Sequence, residues 1–236
     1  MLIKIILLLG LLSSLARADT GPGFKQYCQN EAIGGGNASL VITCQRPTTP
    51  GSLLVLFTRL GASTTGTWSV TDPLSQTWTP TASGYSNDAS FAPRSRMDFI
   101  ANSGSISTVT INFSPDANSP AGIMLEFSGM ATSSVEDSSV NSNSAGVAAT
   151  SGTSGSLTTT HASDVLVFGV ALAGAAGVNC PFGFMVGSGW SGEPPPVTRA
   201  CVQYKIVGTT QTGVTTSMGW ANSVASSSVF AGFKAL

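Results

Sequence analysis

The sequence predicts an all-β protein: a single large antiparallel β-sandwich, jelly-roll-like and built from two related halves, with two tandem immunoglobulin-like sandwiches as the alternative. Three observations carry this expectation. Apolar residues recur at every second position or in short unbroken runs, bounded by Gly, Pro, Ser and Asn, which is the pattern of strands. Helical periodicity is absent after the first twenty residues. Four blocks of residues recur in the same order along the two halves of the chain.

The first segment is a targeting signal. Lys4 precedes an apolar run at 5–12, and Ala16-Arg17-Ala18 places small residues where a signal peptidase reads them. Residues 1–18 are expected to be removed, leaving a β-sandwich domain at 19–236. The run falls short of the roughly 20 residues that span a bilayer, so the mature protein is expected to be secreted, to the periplasm or the exterior, and free of the membrane.

Strands are expected at 39–45, 52–59, 67–71, 96–101, 106–113, 122–128, 164–172, 200–207, 213–218 and 227–234. In 107–113 the apolar Val109, Ile111 and Phe113 share one face and polar residues the other, as in a sheet with one wet side. The unbroken apolar run at 52–57 marks a strand covered on both faces. The polar stretch at 138–156 reads as a long surface loop with an exposed edge strand.

The duplication has a period of roughly 105 to 112 residues. Ser52-Leu53-Leu54-Val55-Leu56 answers Asp164-Val165-Leu166-Val167-Phe168, and Met97-Asp98-Phe99-Ile100-Ala101 answers Val202-Gln203-Tyr204-Lys205-Ile206. Val109-Thr110-Ile111-Asn112-Phe113 is echoed by Val214-Thr215-Thr216-Ser217-Met218, and Ile123-Met124-Leu125-Glu126-Phe127 by Val229-Phe230-Ala231-Gly232-Phe233. These blocks define halves at about 39–129 and 130–236. No Pro-rich or long flexible linker stands at 129–138, which favours one sandwich over two independent domains.

Composition narrows the function. The 236 residues are 9% charged with net charge -1, and roughly a quarter are Ser or Thr. That balance serves neither a nucleic-acid groove nor an anionic membrane surface. In an oxidising compartment the four cysteines are expected to pair locally, Cys28 with Cys44 and Cys180 with Cys201. Zinc clusters bring cysteines in close pairs, and none here is that close, so no metal or other cofactor is expected.

Several stretches together resemble a group of uncharacterised secreted Ser/Thr/Gly-rich bacterial β-sandwich proteins. They are Thr49-Pro50-Gly51-Ser52-Leu53-Leu54-Val55, Val70-Thr71-Asp72 with Gln76-Thr77-Trp78-Thr79, Leu125-Glu126-Phe127-Ser128-Gly129, Leu157-Thr158-Thr159-Thr160, Gly187-Ser188-Gly189-Trp190 and Ala231-Gly232-Phe233-Lys234, along with Val109-Thr110-Ile111-Asn112-Phe113. The resemblance covers most of the mature chain and implies a single all-β unit, but no activity and no site residues. The cysteines and Pro194-Pro195-Pro196 depart from the group's pattern.

Candidate chemistry is sparse. His161, the single histidine, stands in Thr160-His161-Ala162-Ser163 ahead of a strand, without the partners a catalytic triad needs, and reads as a turn residue. Asp98 and Glu126 sit in expected strands and would be the carboxylate pair of a glycoside-active enzyme if held across a cleft. The commoner reading is a sheet acid paired with Arg94 or Arg96. Trp78 and Trp220 have apolar neighbours and are expected in the core, whereas Trp68, Tyr85 and Trp190 stand beside Gly, Ser or Thr and are the candidate ligand-binding aromatics. The sequence thus favours a non-catalytic exported binding or adhesion module, with an extracellular polysaccharide or a cell-surface component as candidate partner. A structural surface protein acting by self-association is the alternative, and a glycoside-active enzyme stands third.

Overall fold

The computed structural model describes residues 21–61, 65–88, 93–174, 189–192 and 197–236. The expected leader at 1–18, Cys180 and Pro194-Pro195-Pro196 lie outside the described residues. Regular structure among the described residues is strand, without α-helix. The first half contains β1 (Gly23–Glu31), β2 (Asn37–Thr43), β3 (Leu53–Gly61), β4 (Thr67–Thr71), β5 (Thr79–Pro80), β6 (Ser86–Asn87), β7 (Pro93–Ile100) and β8 (Thr108–Ser128). The second contains β9 (Glu136–Asn143), β10 (Ala149–Thr153), β11 (Asp164–Leu172), β12 (Ser191–Gly192), β13 (Ala200–Val207), β14 (Ser217–Val224) and β15 (Ser226–Lys234).

The long strand β8 serves two sheets. Its beginning lies between β2 and β4, and its end lies between β1 and β3, from which the sheet continues through β7 to β5 and β6. Gly122 makes the change of layer possible. A Cβ there would stand 2.6 Å from Ile42 Cδ1 and 2.9 Å from Ile111 Cδ1, so only glycine lets the two layers close on each other. Between these layers pack Leu40, Ile42, Val109, Ile111 and Phe113 from the outer sheet against Leu54, Leu56 and Met124 from the inner one. The alternation read at 107–113 places those side chains inward.

The second half repeats the design. Its inner sheet runs β9-β15-β11-β13-β12, the order of β1-β8-β3-β7-β5 in the first half, and β10 with β14 forms the outer sheet. Register repeats as well: Leu53 faces Phe127 as Val165 faces Phe233, and Phe57 faces Met97 as Gly169 faces Val202. Three of the four repeated blocks therefore occupy equivalent ladder positions. The other is displaced, because Val214 makes only an isolated bridge to Leu157 and the strand expected at 213–218 begins at Ser217 and runs to Val224. Met218 and Trp220 then carry the inward alternation.

The two inner sheets pack face to face, giving four layers in all. Leu53, Val55, Phe57, Ile123, Leu125 and Phe127 meet Val165, Val167, Val202, Val229, Ala231 and Phe233 in one shared core. This is why β3 and β11 are buried along their whole length, as the unbroken apolar run at 52–57 predicts. The halves thus share this core in addition to the one that each holds between its own inner and outer sheet. The equivalent positions Phe57 and Gly169 meet near the centre: a Cβ on Gly169 would overlap the Phe57 ring, so one half supplies the knob and the other the hole.

Polar contacts also join the halves. The buried Arg59 donates to Leu172 O at 3.1 Å, and to Ser119 O within its own half. Burial pulls its guanidinium down to about 10, with neighbouring Arg199 acting in the same direction and Glu31 opposing. Glu31 accepts from Thr198 N–H at 2.7 Å and stands 3.5 Å from Arg199 Nη1. The segment 82–88 lies along the free edge of β9, where Asn141 Nδ2 donates to the carbonyls of Ser83 and Tyr85 at 2.7 and 2.8 Å. An edge covered in this way is closed to further strand pairing.

Candidate functional site

The expected aromatic platform does not form. Trp68 is 5% exposed and packs in the core between β4, β8 and the inner sheet. Strand alternation explains this, because Thr67, Ser69 and Thr71 take the wet face of β4 and Trp68 is left pointing inward. Tyr85, half-buried, stacks edge-on to Trp68 at 4.8 Å. Trp190, also half-buried, lies at the other outer layer, 5.7 Å from Phe230. The three rings are therefore divided between two separate cores. Trp220 is buried as expected, with Nε1 donating to Ala149 O at 2.8 Å, while Trp78 is half-buried and donates to Asp72 at 2.9 Å.

Around Trp68 and Tyr85 the first half builds a charged stack. Arg96 lies over both rings, 4.9 and 4.7 Å from their centroids, and Arg94 covers Tyr85 at 3.9 Å. The Arg96 guanidinium grips Asp98 through Nη2 at 2.8 Å and Nε at 3.1 Å, and donates to the Tyr85 hydroxyl at 2.7 Å. Asp98 also accepts from Trp68 Nε1 at 3.3 Å. Burial pushes the Asp98 carboxyl up, and the Arg96 charge and hydrogen bonds partly offset that. With every ring face or edge committed to the chain itself, this cluster is a fastening of β4 to the inner sheet.

Glu126 is a different kind of buried acid. It accepts from Gln26 Nε2 and Thr49 N–H, each at 2.7 Å, and from Ser52 Oγ at 2.9 Å, with no arginine among these partners. The expected pairing with Arg94 or Arg96 is thus replaced by neutral donors. Burial on its own would raise its carboxyl, but the bonds from Thr49, Gln26 and Ser52 outweigh that and hold it below the usual value. Asp98 and Glu126 both stand in the layer between inner and outer sheet, each 1% exposed and each tied to its own donors.

His161 lies in the turn before β11, as its sequence context suggests. Its Nδ1 is 2.9 Å from Ser163 O and 3.7 Å from the buried Asp164. Burial raises the Asp164 carboxyl. Nearby Asp137 accepts from Thr160 N–H at 2.6 Å and His161 N–H at 3.0 Å, bonds that outweigh its own desolvation and lower it. Among the described residues no group of three or more His, Cys, Asp and Glu could hold a metal ion.

Cys28 and Cys44 form the expected disulfide, tying β1 to the end of β2. Cys201 is also disulfide-bonded, and its expected partner Cys180 lies outside the described residues.

The structure shows a groove to which the aromatic residues do not point. The stretch 138–156, expected as a loop with an edge strand, forms β9 and β10, which part from each other and leave a groove of about 320 Å³ over β15 and β11. Ser142, Ser144, Thr153, Ser226 and Ser228 line it with Asn143, while Val147 and Val170 supply apolar surface. Among the described residues no charged side chain contributes. The lining is held in place: Ser142 Oγ donates to Thr153 O at 2.7 Å and Ser228 Oγ to Ser142 O at 3.2 Å, while Ser144 Oγ donates to Asp88 at 2.6 Å. The run Ser226-Ser227-Ser228, buried at the start of a core strand, was the signal in the sequence. Ser226 and Ser228 line the groove, while Ser227 takes the other face of the strand, where its Oγ lies 3.0 Å from Ser95 Oγ.

Neither protein-family models nor curated proteins match this chain. One solved structure, described as the "Crystal Structure of the STIV MCP", aligns over 89% of this chain and 97% of that chain, with 8% identity and a TM-score of 0.28. What the fold itself defines is an all-β sandwich with an internally repeated strand order.

Proposed function

We propose that this protein is an exported binding module that holds a neutral polysaccharide in the groove between β9, β10 and β15, without acting on it chemically. The observation that carries the reading is the lining of that groove, hydroxyls and an amide beside apolar patches with no charged side chain. Sugars offer the complementary surface, hydroxyl edges around apolar C–H faces, and an uncharged polymer needs no ionic partner. Export is supported by the leader pattern at 1–18 and the Cys28–Cys44 disulfide. The non-catalytic reading is supported by the enclosure of Asp98 and Glu126 within the chain's own hydrogen bonds.

The test is retention of the mature protein on immobilised neutral polysaccharides, with the polymer's reducing ends counted before and after. Retention should persist from about 0.05 to about 0.5 M salt, since screening acts on charge. Thr153→Trp, which fills the groove from its exposed rim, should weaken retention at least tenfold. New reducing ends that disappear in Glu126→Gln would establish an enzyme. Concentration-dependent assembly without retention would favour the self-associating surface protein.

A further inference from the structure

The internal repeat makes β1 and β9 equivalent edges of the two inner sheets, yet they are treated differently. Segment 82–88, which lies along β9, belongs to the connection from β5 to β7, residues 81–92. The counterpart of that connection runs from β12 to β13, since Ser191 and Gly192 face Tyr204 and Gln203 as Thr79 and Pro80 face Phe99 and Asp98. It covers only residues 193–199, and no described residue pairs with β1 on the side away from β8.

The alternation of the ladder fixes which groups this leaves. Ala32 N–H donates to Pro120 O at 3.0 Å, so the residues in step with it, Asn30 and Cys28, turn their peptide groups to β8. Tyr27, Gln29 and Glu31 turn theirs the other way. Side chains stop both ends of this row: Arg46 Nη2 donates to Lys25 O at 2.5 Å, and Glu31 N–H donates to Asn30 Oδ1 at 2.9 Å. Between them the N–H and C=O groups of Tyr27 and Gln29 have no hydrogen-bond partner among the described residues.

A trough runs beside these groups, with the end of β2 as its far wall. One stretch of about 430 Å³ is lined by Phe24, Lys25, Gln26, Tyr27, Gln45 and Arg46. A second, of about 250 Å³, shares Tyr27 and Gln45 with it and adds Gln29 and Thr43. The charge of the trough has one sign. Of the Lys and Arg side chains among the described residues only Lys25 and Arg46 are exposed, and both stand here, with no acid in the lining.

We propose that this edge docks an extended acidic peptide segment of a partner protein, which adds to the inner sheet as a strand beside β1. The unpaired groups of Tyr27 and Gln29 form a ladder that a peptide backbone matches and a sugar ring does not. Lys25 and Arg46, at one end of that ladder, select acidic side chains. A second copy of β1 offers no such acid, because its Glu31 is already held by Thr198 N–H at 2.7 Å, Thr198 Oγ1 at 2.8 Å and Arg199 Nη1 at 3.5 Å. The docking edge is independent of the groove between β9, β10 and β15.

The probe is a short capped peptide alternating glutamate with valine, added to the mature protein, with binding followed by fluorescence anisotropy and amide exchange by NMR. It should bind, and it should slow exchange at Tyr27 and Gln29 while leaving Cys28 and Asn30, already turned to β8, unchanged. Lys25→Gln combined with Arg46→Gln, both changes at exposed side chains, should weaken binding at least tenfold, as should lysine in place of glutamate in the peptide. N-methylation of the peptide at alternate residues should abolish binding for one alternate set and spare the other, because a strand pairs through one edge. Absence of binding, or binding with unchanged exchange at Tyr27 and Gln29, overturns the proposal. Equal binding of polygalacturonate would assign the trough to an acidic polysaccharide and overturns it too. So does a wild-type protein that sediments as a dimer with those two amides already slow, which would assign the edge to a second copy. None of these outcomes bears on the groove.

Discussion

Phe57→Ala tests whether the two halves form one folding unit. Phe57 is 1% exposed, lies in the core shared by the inner sheets, and fills the space left by Gly169 on the opposite strand. Truncation removes a large aromatic side chain and leaves a cavity that two rigid sheets cannot readily collapse, a loss of about 3–5 kcal/mol. For a domain of this size each kcal/mol lowers the melting temperature by roughly 2–4 °C, so the shift should be about 6–20 °C. Calorimetry should show one transition before and after, moved as a whole, because the ring belongs to both halves. A sharper version exploits the repeat. Phe57→Gly combined with Gly169→Phe moves the ring to the equivalent position on β11, and the double variant should be more stable than Phe57→Gly alone. Two separate transitions, or a wild-type midpoint in Phe57→Ala, would refute the shared core.

Two further predictions concern polar groups and the crosslink. Glu126 is held below its ordinary value, so its contribution is present at neutral pH and is lost as pH falls through its folded value; the stability gap between wild type and Glu126→Gln should shrink below about pH 4. Asp164 is raised, so the sign reverses: Asp164→Asn should be more stable than wild type at pH 7, with the advantage fading as acid protonates the native carboxyl, and a uniform difference across the pH range would contradict this. The Cys28–Cys44 bridge, with a sequence separation of 16, should contribute about 3 kcal/mol on the chain-entropy model, measured as the denaturation midpoint of Cys28→Ala with Cys44→Ala.

What was legible in the sequence follows from where local pattern and tertiary packing agree. β4, β11 and β13 fall on the residues the sequence indicates, β4 because its inward and outward faces are marked, β11 and β13 because their apolar runs are bounded and largely buried. The sequence does not indicate β1 as a strand, and it indicates β9 only as an edge strand somewhere within 138–156. Each lies at an edge of its inner sheet, where side chains are half-buried and GFKQYCQNE and EDSSVNSN carry little alternation. Trp68 was misplaced for a related reason. Small polar neighbours suggested a loop, yet on a strand with one wet face those same neighbours show that the residue between them points inward. The groove was hidden because it depends on the separation of β9 from β10, a long-range property that the composition of 138–156 does not express.

The halves differ in how their layers are joined at equivalent edges. Cys28 on β1 and Val140 on β9 are equivalent, since each faces the matching residue of the neighbouring strand, Met124 in β8 and Phe230 in β15. Cys28 is bonded to the end of β2, whereas Val140 merely packs against Gly155, where a Cβ would stand 2.5 Å away. Glu126, which gathers Gln26, Thr49 and Ser52, is matched by Gly232, and Asp98, gripped by Arg96, by the neutral Gln203. At the β1 edge the first half is fastened by the Cys28–Cys44 disulfide, with buried Glu126 and Asp98 on β8 and β7. The matching β9 edge is held by van der Waals contact and hydroxyl hydrogen bonds, the second half's disulfide-bonded cysteine, Cys201, lying on β13. The edge held by Ser142, Ser144 and Ser228 keeps its strands in place while leaving these residues along the groove, which is the lining on which the proposed binding of a neutral sugar rests.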